Sequence, residues 1–186
     1  MSLQDQNARI TAVENNSQNI IVEAGAGTGK TTLLVQKMLF LILVKKVKLS
    51  RIVALTFTTK AAASLKQKME ENLHTAFKIL LHDSFVLTAT DAIYAERLKD
   101  YSGKEQELFN NFRPLFLKSG LNLKDLFSLI KTALEELPLC QIGTIHSFCN
   151  FLLKKYAVDA QLNTNMKIDE AGMADIIFAA FCRFSL

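Results

Sequence analysis

The stretch NIIVEAGAGTGKTT, residues 19–32, decides the fold of this chain. It begins with a short β-branched run, residues 20–22, which is typical of a parallel strand that is covered on both faces. A glycine-rich turn follows directly, and the residues after Lys30 have the apolar spacing of a helix. The sequence therefore predicts a first buried strand at 20–22, joined by a tight turn to a helix that begins at Lys30.

The turn has the residue pattern of a phosphate-binding loop. Residues 24–31, AGAGTGKT, fit the pattern G-x-x-x-x-G-K-[ST] at every fixed position except the first, where Ala24 replaces glycine. Gly25, Gly27 and Gly29 let the backbone adopt positive φ, so that successive N–H groups can turn towards phosphate oxygens. We therefore expect this loop to form an anion-binding nest.

The start of the following helix completes the predicted nucleotide site. The helix dipole and the unpaired N–H groups near Lys30 attract negative charge, and the ammonium can reach the β- and γ-phosphates. Thr31 would then give its hydroxyl oxygen to Mg²⁺. The loop therefore predicts a bound nucleotide and Mg²⁺, with Lys30 and Thr31 as the residues that contact them. The predicted nucleotide-binding residues of this stretch are Ala24, Gly25, Ala26, Gly27, Thr28, Gly29, Lys30, Thr31 and Thr32.

The composition places the chain among globular proteins. With 186 residues, of which 49% are hydrophobic, it can bury a substantial core and is not disordered. The net charge of +4 is weakly basic and does not by itself indicate a partner. Cysteines without a C-x-x-C pair are typical of reduced thiols in a cytoplasmic protein. The longest apolar run, residues 38–44, is too short to span a bilayer, so no membrane partner is expected.

Hydrophobic spacing predicts further strands and helices around the loop. The strands are expected at 51–57 and 140–144, and the helices at 4–14, from Lys30 to the lysines at 45, 46 and 48, from Thr58 or Thr59 to residue 80, and at 147–157. A final helical segment is expected at 169–186. Together with residues 20–22, this gives a short parallel sheet of three strands.

Residues 81–138 have a different pattern, without a convincing strand. Their periodicity predicts an all-helical insertion, with helices around 85–99, 104–113 and 122–137. Pro114 is expected to end the second of these helices, and Asn122 is expected to cap the third.

Three motifs in this order resemble those of the UvrD/Rep-like superfamily 1 DNA helicases. They are AGAGTGKTT at 24–32, LTFTTKAAASLKQKM at 55–69 and TIHSFCNFLL at 144–153. The long helical insertion before TIHSFC and the KKYAVDA run after it look most like the RecB and AddA recombination helicase-nucleases. The resemblance implies an ATP-binding and single-stranded-DNA-binding N-terminal part of an ATP-dependent DNA helicase. It also implies 3′ to 5′ translocation in DNA repair or recombination.

The resemblance implies an α/β fold as well. This is a partial RecA-like P-loop domain with a short parallel sheet and an all-helical insertion. The first part of the ATP-binding domain is expected at residues 1–80 and the insertion at residues 81–138. The chain is expected to return to the ATP-binding domain at 139–158 and to start a further helical segment at 159–186.

The same resemblance implies ATP and Mg²⁺ as the cofactors and Lys30 and Thr31 as the catalytic residues, and it points to further residues that contact ligands. An upstream glutamine of the family reads the adenine edge, and Gln6 is the best match, with Gln4 and Gln18 as rivals. The positions that contact DNA are matched by Thr56, Phe57, Thr58, Thr59, Lys60, Thr144 and His146.

Physical chemistry leaves two interpretations of these DNA-contacting positions. An aromatic ring at the end of a strand, such as Phe57, offers a stacking face to a base. From the residues alone, however, the simpler interpretation makes Phe57 a core residue and the threonines helix caps. Beside His146, Phe148 and Cys149 are expected to be packing residues. Ser64 and Lys68 depart from the glutamate and arginine that are usual in the family.

Other parts of the helicase machinery have no match in these 186 residues. Asp169 and Glu170 do not follow the buried strand that the family's acidic magnesium motif requires, since Asn165 and Lys167 interrupt it. The glutamine sensor and the arginine fingers also have no match. We therefore expect an N-terminal fragment that binds ATP weakly and hydrolyses it negligibly by itself.

The expected partners are single-stranded DNA and other proteins of a recombination complex. An open sheet edge would also favour association between copies of the chain. Two competing functions remain at this point. One is a P-loop ATPase or kinase unrelated to DNA, and the other is a non-catalytic binding module.

Overall fold

A computed structural model of the chain describes residues 3–25, 27–83 and 85–159. The chain divides into two compact units, Met1–Thr144 and Ile145–Leu186. The described helices are α1 (Leu3–Glu14), α2 (Lys30–Leu43), α3 (Thr59–His82), α4 (Phe85–Thr88), α5 (Asp91–Leu98), α6 (Gly103–Ser119), α7 (Leu123–Glu136) and α8 (Ile145–Lys155). The described strands are β1 (Val53–Thr56) and β2 (Gln141–Thr144). The helix predicted at 169–186, including Asp169 and Glu170, lies outside the described residues.

The sheet of the first unit consists of β1 and β2, which pair in parallel. Val53 lies opposite Gln141, and Thr56 lies opposite Thr144, so the two strands end at the same edge. Both strands were predicted from sequence, and both are confirmed. Ala54 of β1 is buried, whereas Val53 and Leu55 keep 45% and 41% of their surface exposed, so one face of β1 is more deeply buried than the other.

The predicted first strand, residues 20–22, is wrong. Across the described part of the chain the sheet has two strands, and this segment pairs with neither of them. Ile20, Ile21 and Val22 keep 39%, 89% and 46% of their surface exposed. A strand buried on both faces needs a neighbouring strand and covering helices. Among the described residues no strand pairs with this run, so it leads into the loop without forming a strand.

The core of the first unit lies where α2 and α3 meet the later helices. The second half of α2 is buried, as its all-round apolar sequence predicts, with Met38, Leu39 and Leu43 inaccessible. Thr58 caps α3, because its hydroxyl accepts a hydrogen bond from the Ala61 N–H at 3.1 Å. Buried residues recur along α3 at helical spacing, at Ala62, Leu65, Met69, Leu73, Ala76 and Leu80.

The helices of the predicted insertion share this core. Helix α7 packs against α3, where the Phe77 and Phe127 rings are 4.3 Å apart, and α6 contacts α2. Asn122 caps α7 as predicted, since its side chain accepts a hydrogen bond from the Asp125 N–H at 2.9 Å. The helical insertion therefore supports α2, the helix that follows the glycine-rich loop. The four-segment division of the chain stays a prediction.

Pro114 does not end its helix, contrary to the prediction. Helix α6 continues through it from Gly103 to Ser119. A proline inside a helix costs about 3 kcal/mol. Phe109, Phe112 and Phe116 lie on both sides of the proline and are all buried. Since burying one such side chain contributes about 1.5–3 kcal/mol, packing of the three rings outweighs the local cost.

The second unit is described by one helix, α8, which begins two residues earlier than predicted. The rings of Phe148 and Phe151 stack with centroids 6.3 Å apart on its apolar side. None of the residues of α8 is buried, and Phe151 and Leu152 are partly exposed. Among the helices that the structure describes, none combines the length and the apolar character that crossing a bilayer requires.

Candidate nucleotide-binding site

The glycine-rich loop takes the left-handed backbone conformation at two positions. Gly27 and Gly29 have φ of +76° and +89°, as the sequence predicted. A Cβ on Gly27 would meet nothing within 4 Å, so the backbone angle, and not a lack of space, requires glycine there. The prediction was wrong for Gly25, whose φ lies outside this region. Its carbonyl instead accepts a hydrogen bond from the Thr28 hydroxyl at 2.8 Å, which closes the turn. Ala26 lies outside the described residues.

Lys30 holds its ammonium against the carbonyl groups at the start of the loop. Its Nζ donates to the Ala24 carbonyl at 2.6 Å and to the Gly25 carbonyl at 2.9 Å, and the side chain is exposed. A cation in the first turn of a helix opposes the helix dipole, which disfavours it by about 0.3–1 kcal/mol. An anion at this position would reverse that cost, because it would contact both the ammonium and the helix N-terminus.

The beginning of α2 is open to a ligand. Gly29 caps the helix without a side chain, and no acidic residue lies in the first turn. The first helical hydrogen bond, from the Leu33 N–H to the Gly29 carbonyl at 2.9 Å, leaves the earlier N–H groups of α2 without helical partners. Thr31 and Thr32 are exposed on this first turn. The hydroxyl of Thr31 suits Mg²⁺, which takes few protein ligands and otherwise binds phosphate oxygens and water.

A cleft of about 590 Å³ lies beside the loop and the N-terminus of α2. It is lined by α1, by residues 18–24, and by Thr28, Gly29 and Lys30. A cleft of this size can hold a small organic ligand. Gln18, one of the three glutamines considered for the adenine edge, lines the cleft. Gln6 is exposed on α1 and is not among the lining residues. The role of Gln6 stays a prediction.

Helix α1 is fixed at one side of the cleft by contacts with α2 and α6. Lys37 of α2 donates to the carbonyls of Val13 and Asn15 at 2.9 and 2.6 Å, at the C-terminal end of α1. Burial lowers the pKa of Lys37, and the charge of Lys45 lowers it further. Lys118 of α6 forms an ion pair with Glu14.

Arg9 of α1 reaches the loop itself and was missed in the sequence. Its Nη2 donates to the Thr28 carbonyl at 2.7 Å, and the side chain lines the cleft. The two residues are 19 positions apart. The nearest signal in the sequence was a basic residue one helical turn after Gln6. A local pattern of this kind does not identify a contact between distant segments.

The predicted DNA-contacting residues of the first unit lie at the ends of β1 and β2. Phe57 follows β1 with 91% of its surface exposed, so the interpretation of this ring as a core residue is wrong. The hydroxyl of Thr56 donates to the Thr58 carbonyl at 2.9 Å, which shapes the turn into α3. Thr59 and Lys60 are exposed in the first turn of α3.

The predicted residues of the third motif fall on both units. Thr144 ends β2 and lies opposite Thr56 in the parallel pair. His146 is exposed on α8 of the second unit. Phe148 is half-buried, as a packing residue would be, whereas the packing role expected for Cys149 is wrong because its thiol is exposed. Within the described residues, no cluster of three or more His, Cys, Asp or Glu could hold a metal ion.

Two glycines with positive φ give a matched test of the loop geometry. An alanine in place of Gly29 would be strained by about 1–2 kcal/mol at φ near +89°. We therefore expect the free loop of Gly29→Ala to relax away from this angle, so that regaining it on binding weakens the affinity for Mg-ADP about tenfold. Gly120→Ala is the control, because it places the same kind of strain, at φ +64°, at the end of α6 and outside the loop. Equal losses in the two variants, measured by fluorescence titration, would contradict this loop geometry.

Comparison with known proteins identifies the family of this chain. The model of the family described as UvrD/REP helicase N-terminal domain matches residues 5–183. The AddA subunit of the ATP-dependent helicase/nuclease of Streptococcus sanguinis (strain SK36) is 27% identical over 169 residues, which cover 91% of this chain and 10% of that protein.

Two further relatives match shorter segments at higher identity. The AddA subunit of the ATP-dependent helicase/nuclease of Streptococcus equi subsp. zooepidemicus (strain MGCS10565) is 43% identical over 68 residues, 37% of this chain and 6% of that protein. The ATP-dependent DNA helicase UvrD1 of Mycobacterium leprae (strain TN) is 41% identical over 58 residues, 31% of this chain and 8% of that protein.

The chain spans a tenth or less of the length of these three relatives. The resemblance predicted from the three motifs is confirmed, both for the UvrD/Rep-like helicases and for the helicase-nuclease group. The chain belongs to the UvrD/REP helicase N-terminal domain family.

Proposed function

We propose that this chain is the ATP-binding and single-stranded-DNA-binding N-terminal part of an ATP-dependent DNA helicase. The observation that carries the proposal is the loop at residues 24–30, where two glycines with positive φ and the ammonium of Lys30 meet the uncapped start of α2. In this proposal the chain contributes part of a RecA-like domain, and the whole protein moves 3′ to 5′ along DNA in repair or recombination. The whole protein acts in the cytoplasm.

Each residue of the loop would bind a different part of the nucleotide. The Lys30 ammonium, which bonds to the Ala24 and Gly25 carbonyls in the free chain, would bind phosphate oxygens instead and neutralise their charge. The N–H groups of the loop and of the first turn of α2 bind the remaining phosphate oxygens. Thr31 would hold Mg²⁺, which would supply charge neutralisation for phosphoryl transfer. Gln6 of α1 stays the proposed reader of the adenine edge, with Gln18, which lines the cleft beside α1, as its rival.

The DNA strand would bind at the ends of β1 and β2. Phe57 offers a nearly fully exposed ring to a base, and the exposed start of α3, with Lys60, suits a phosphate. The other proposed DNA contacts are Thr56, Thr58, Thr59, Thr144 and His146. Because β1 and β2 end at the same edge of the sheet, Thr56 and Thr144 lie side by side next to the exposed ring.

Hydrolysis needs more than binding. Phosphoryl transfer requires a residue that positions water and positive charge against the transferred group, and a missing arginine finger alone lowers the rate by about 10³–10⁵. We expect the chain by itself to bind nucleotide and to turn it over negligibly.

The exposed residues of β1 and of the 20–22 segment offer apolar surface through which copies of the chain, or other proteins of a recombination complex, would associate.

The direct test is to titrate the chain with a fluorescent ATP analogue and Mg²⁺, with and without an oligothymidylate. We expect saturable nucleotide binding, and oligonucleotide binding that weakens as salt rises. Nucleotide binding without any oligonucleotide binding would favour the ATPase or kinase unrelated to DNA. A chain that binds neither ligand would overturn the proposal.

A further inference from the structure

The contact between Arg9 and the loop suggests a role that the phosphate pattern does not include. The Nη2 of Arg9 donates to the Thr28 carbonyl at 2.7 Å, and its Nη1 lies 3.6 Å from the place that a Cβ on Gly29 would occupy. Arg9 is half-buried and lines the same cleft as Lys30. The guanidinium therefore lies close against the peptide that joins Thr28 to Gly29.

This contact fixes the direction of one peptide group. In a trans peptide, the carbonyl and the following N–H point in opposite directions. When the Thr28 carbonyl points at Arg9, the Gly29 N–H must point away from Arg9. Turning this peptide over changes ψ of Thr28 and φ of Gly29, and a glycine, here at φ +89°, tolerates φ of either sign. Without the guanidinium, this peptide could turn over and aim its carbonyl oxygen where the N–H had been.

Arg9 is well placed to hold the peptide because α1 is anchored by other contacts. Lys37 of α2 donates to two carbonyls at the C-terminal end of α1, those of Val13 and Asn15. The Thr28 side chain is held separately by its hydrogen bond to the Gly25 carbonyl at 2.8 Å. The contact of Arg9 thus adds a constraint on the carbonyl that the other contacts do not supply.

We propose that Arg9 is a positioning residue, which turns the Thr28–Gly29 peptide so that the Gly29 N–H faces a bound phosphate. The charge-assisted hydrogen bond also polarises the peptide and strengthens that N–H as a donor. The inference rests on the proposed nucleotide binding at this loop. The ligand group it concerns is the phosphate that the loop backbone holds, which ADP, ATP and pyrophosphate share.

The test compares Arg9→Gln with the wild-type chain, using fluorescent Mg-ADP as the probe and ATP and pyrophosphate as competitors. We expect Arg9→Gln to weaken all three about tenfold, which corresponds to about 1.4 kcal/mol. Arg9→Lys keeps a cation and a donor, so it should recover most of the affinity. A direct contact with the γ-phosphate would instead weaken ATP more than ADP, and a contact with the base would leave pyrophosphate unchanged. Either of these patterns would overturn the positioning role.

Lys118→Gln is the matched control, because it removes the ion pair of α1 with Glu14 and leaves the loop contact in place. We expect it to bind Mg-ADP as the wild type does, and thermal melting should confirm that every variant folds. An equal loss of Mg-ADP affinity in Lys118→Gln and Arg9→Gln would show that Arg9 only stabilises the position of α1, and it would overturn the inference. If the wild type binds Mg-ADP and Arg9→Gln binds it equally tightly, this inference fails while the proposed function stands. A wild type that binds neither Mg-ADP nor pyrophosphate would overturn the proposed function and the inference with it.

Discussion

Replacing Lys30 by alanine is expected to weaken the binding of Mg-ATP about a hundredfold. The ammonium would make charge-assisted hydrogen bonds to phosphate oxygens, and losing such contacts costs about 1.5–3 kcal/mol. In the unliganded chain the same ammonium binds two exposed carbonyls, those of Ala24 and Gly25. The variant should therefore keep its thermal stability while it loses nucleotide. Fluorescence titration and thermal melting measure the two effects separately.

Lys104→Ala is the matched control for this prediction. Lys104 is also an exposed lysine in the first turn of a helix, directly after the glycine that begins α6. It has no glycine-rich loop in front of it, so its loss should not change nucleotide binding. If Lys30→Ala and Lys104→Ala bound Mg-ATP equally well, the loop would not be the nucleotide site. That result would favour a non-catalytic binding module.

Replacing Phe57 by alanine is expected to weaken single-stranded DNA binding roughly tenfold. Stacking of a base on an aromatic ring contributes ~1–3 kcal/mol, and alanine removes the ring entirely. Because 91% of Phe57 is exposed, its removal should leave the stability of the fold unchanged. Fluorescence anisotropy of a labelled oligothymidylate, measured at two salt concentrations, gives the change in affinity.

Two further variants separate stacking from general apolar contact. Phe57→Tyr keeps an aromatic face and should bind the oligonucleotide nearly as tightly as the wild type. Ile21→Ala removes another apolar side chain, of which 89% is exposed, and should have no effect on DNA binding. Full affinity in Phe57→Ala would show that DNA does not stack at the end of β1, and a loss in Ile21→Ala would show that exposed apolar surface acts nonspecifically.

The sequence predicted the loop well because its chemistry is local. Positive φ at Gly27 and Gly29 follows from the turn that a phosphate loop needs, and the structure has it at both positions. Gly25 shows the limit of this reasoning, since glycine permits a left-handed conformation without requiring one. The caps Thr58 and Asn122 were also predictable, because a cap bonds to an N–H three residues away.

The failed predictions depended on contacts between distant segments. The β-branched run at 20–22 predicts extended backbone, but pairing depends on a neighbouring strand that a local pattern does not specify. Pro114 stays inside its helix because the packing of three phenylalanines overrides the local rule for proline. The contact of Arg9 with Thr28 bridges two elements and left no recognisable spacing in the sequence.

The most direct measurement is a crystal structure of the chain with Mg²⁺ and a non-hydrolysable ATP analogue. We expect phosphate oxygens within about 3.2 Å of the Lys30 Nζ and the Gly29 N–H, and a Lys30 ammonium that has left the Ala24 and Gly25 carbonyls. Nucleotide bound elsewhere, with Lys30 still held by those two carbonyls, would contradict the account.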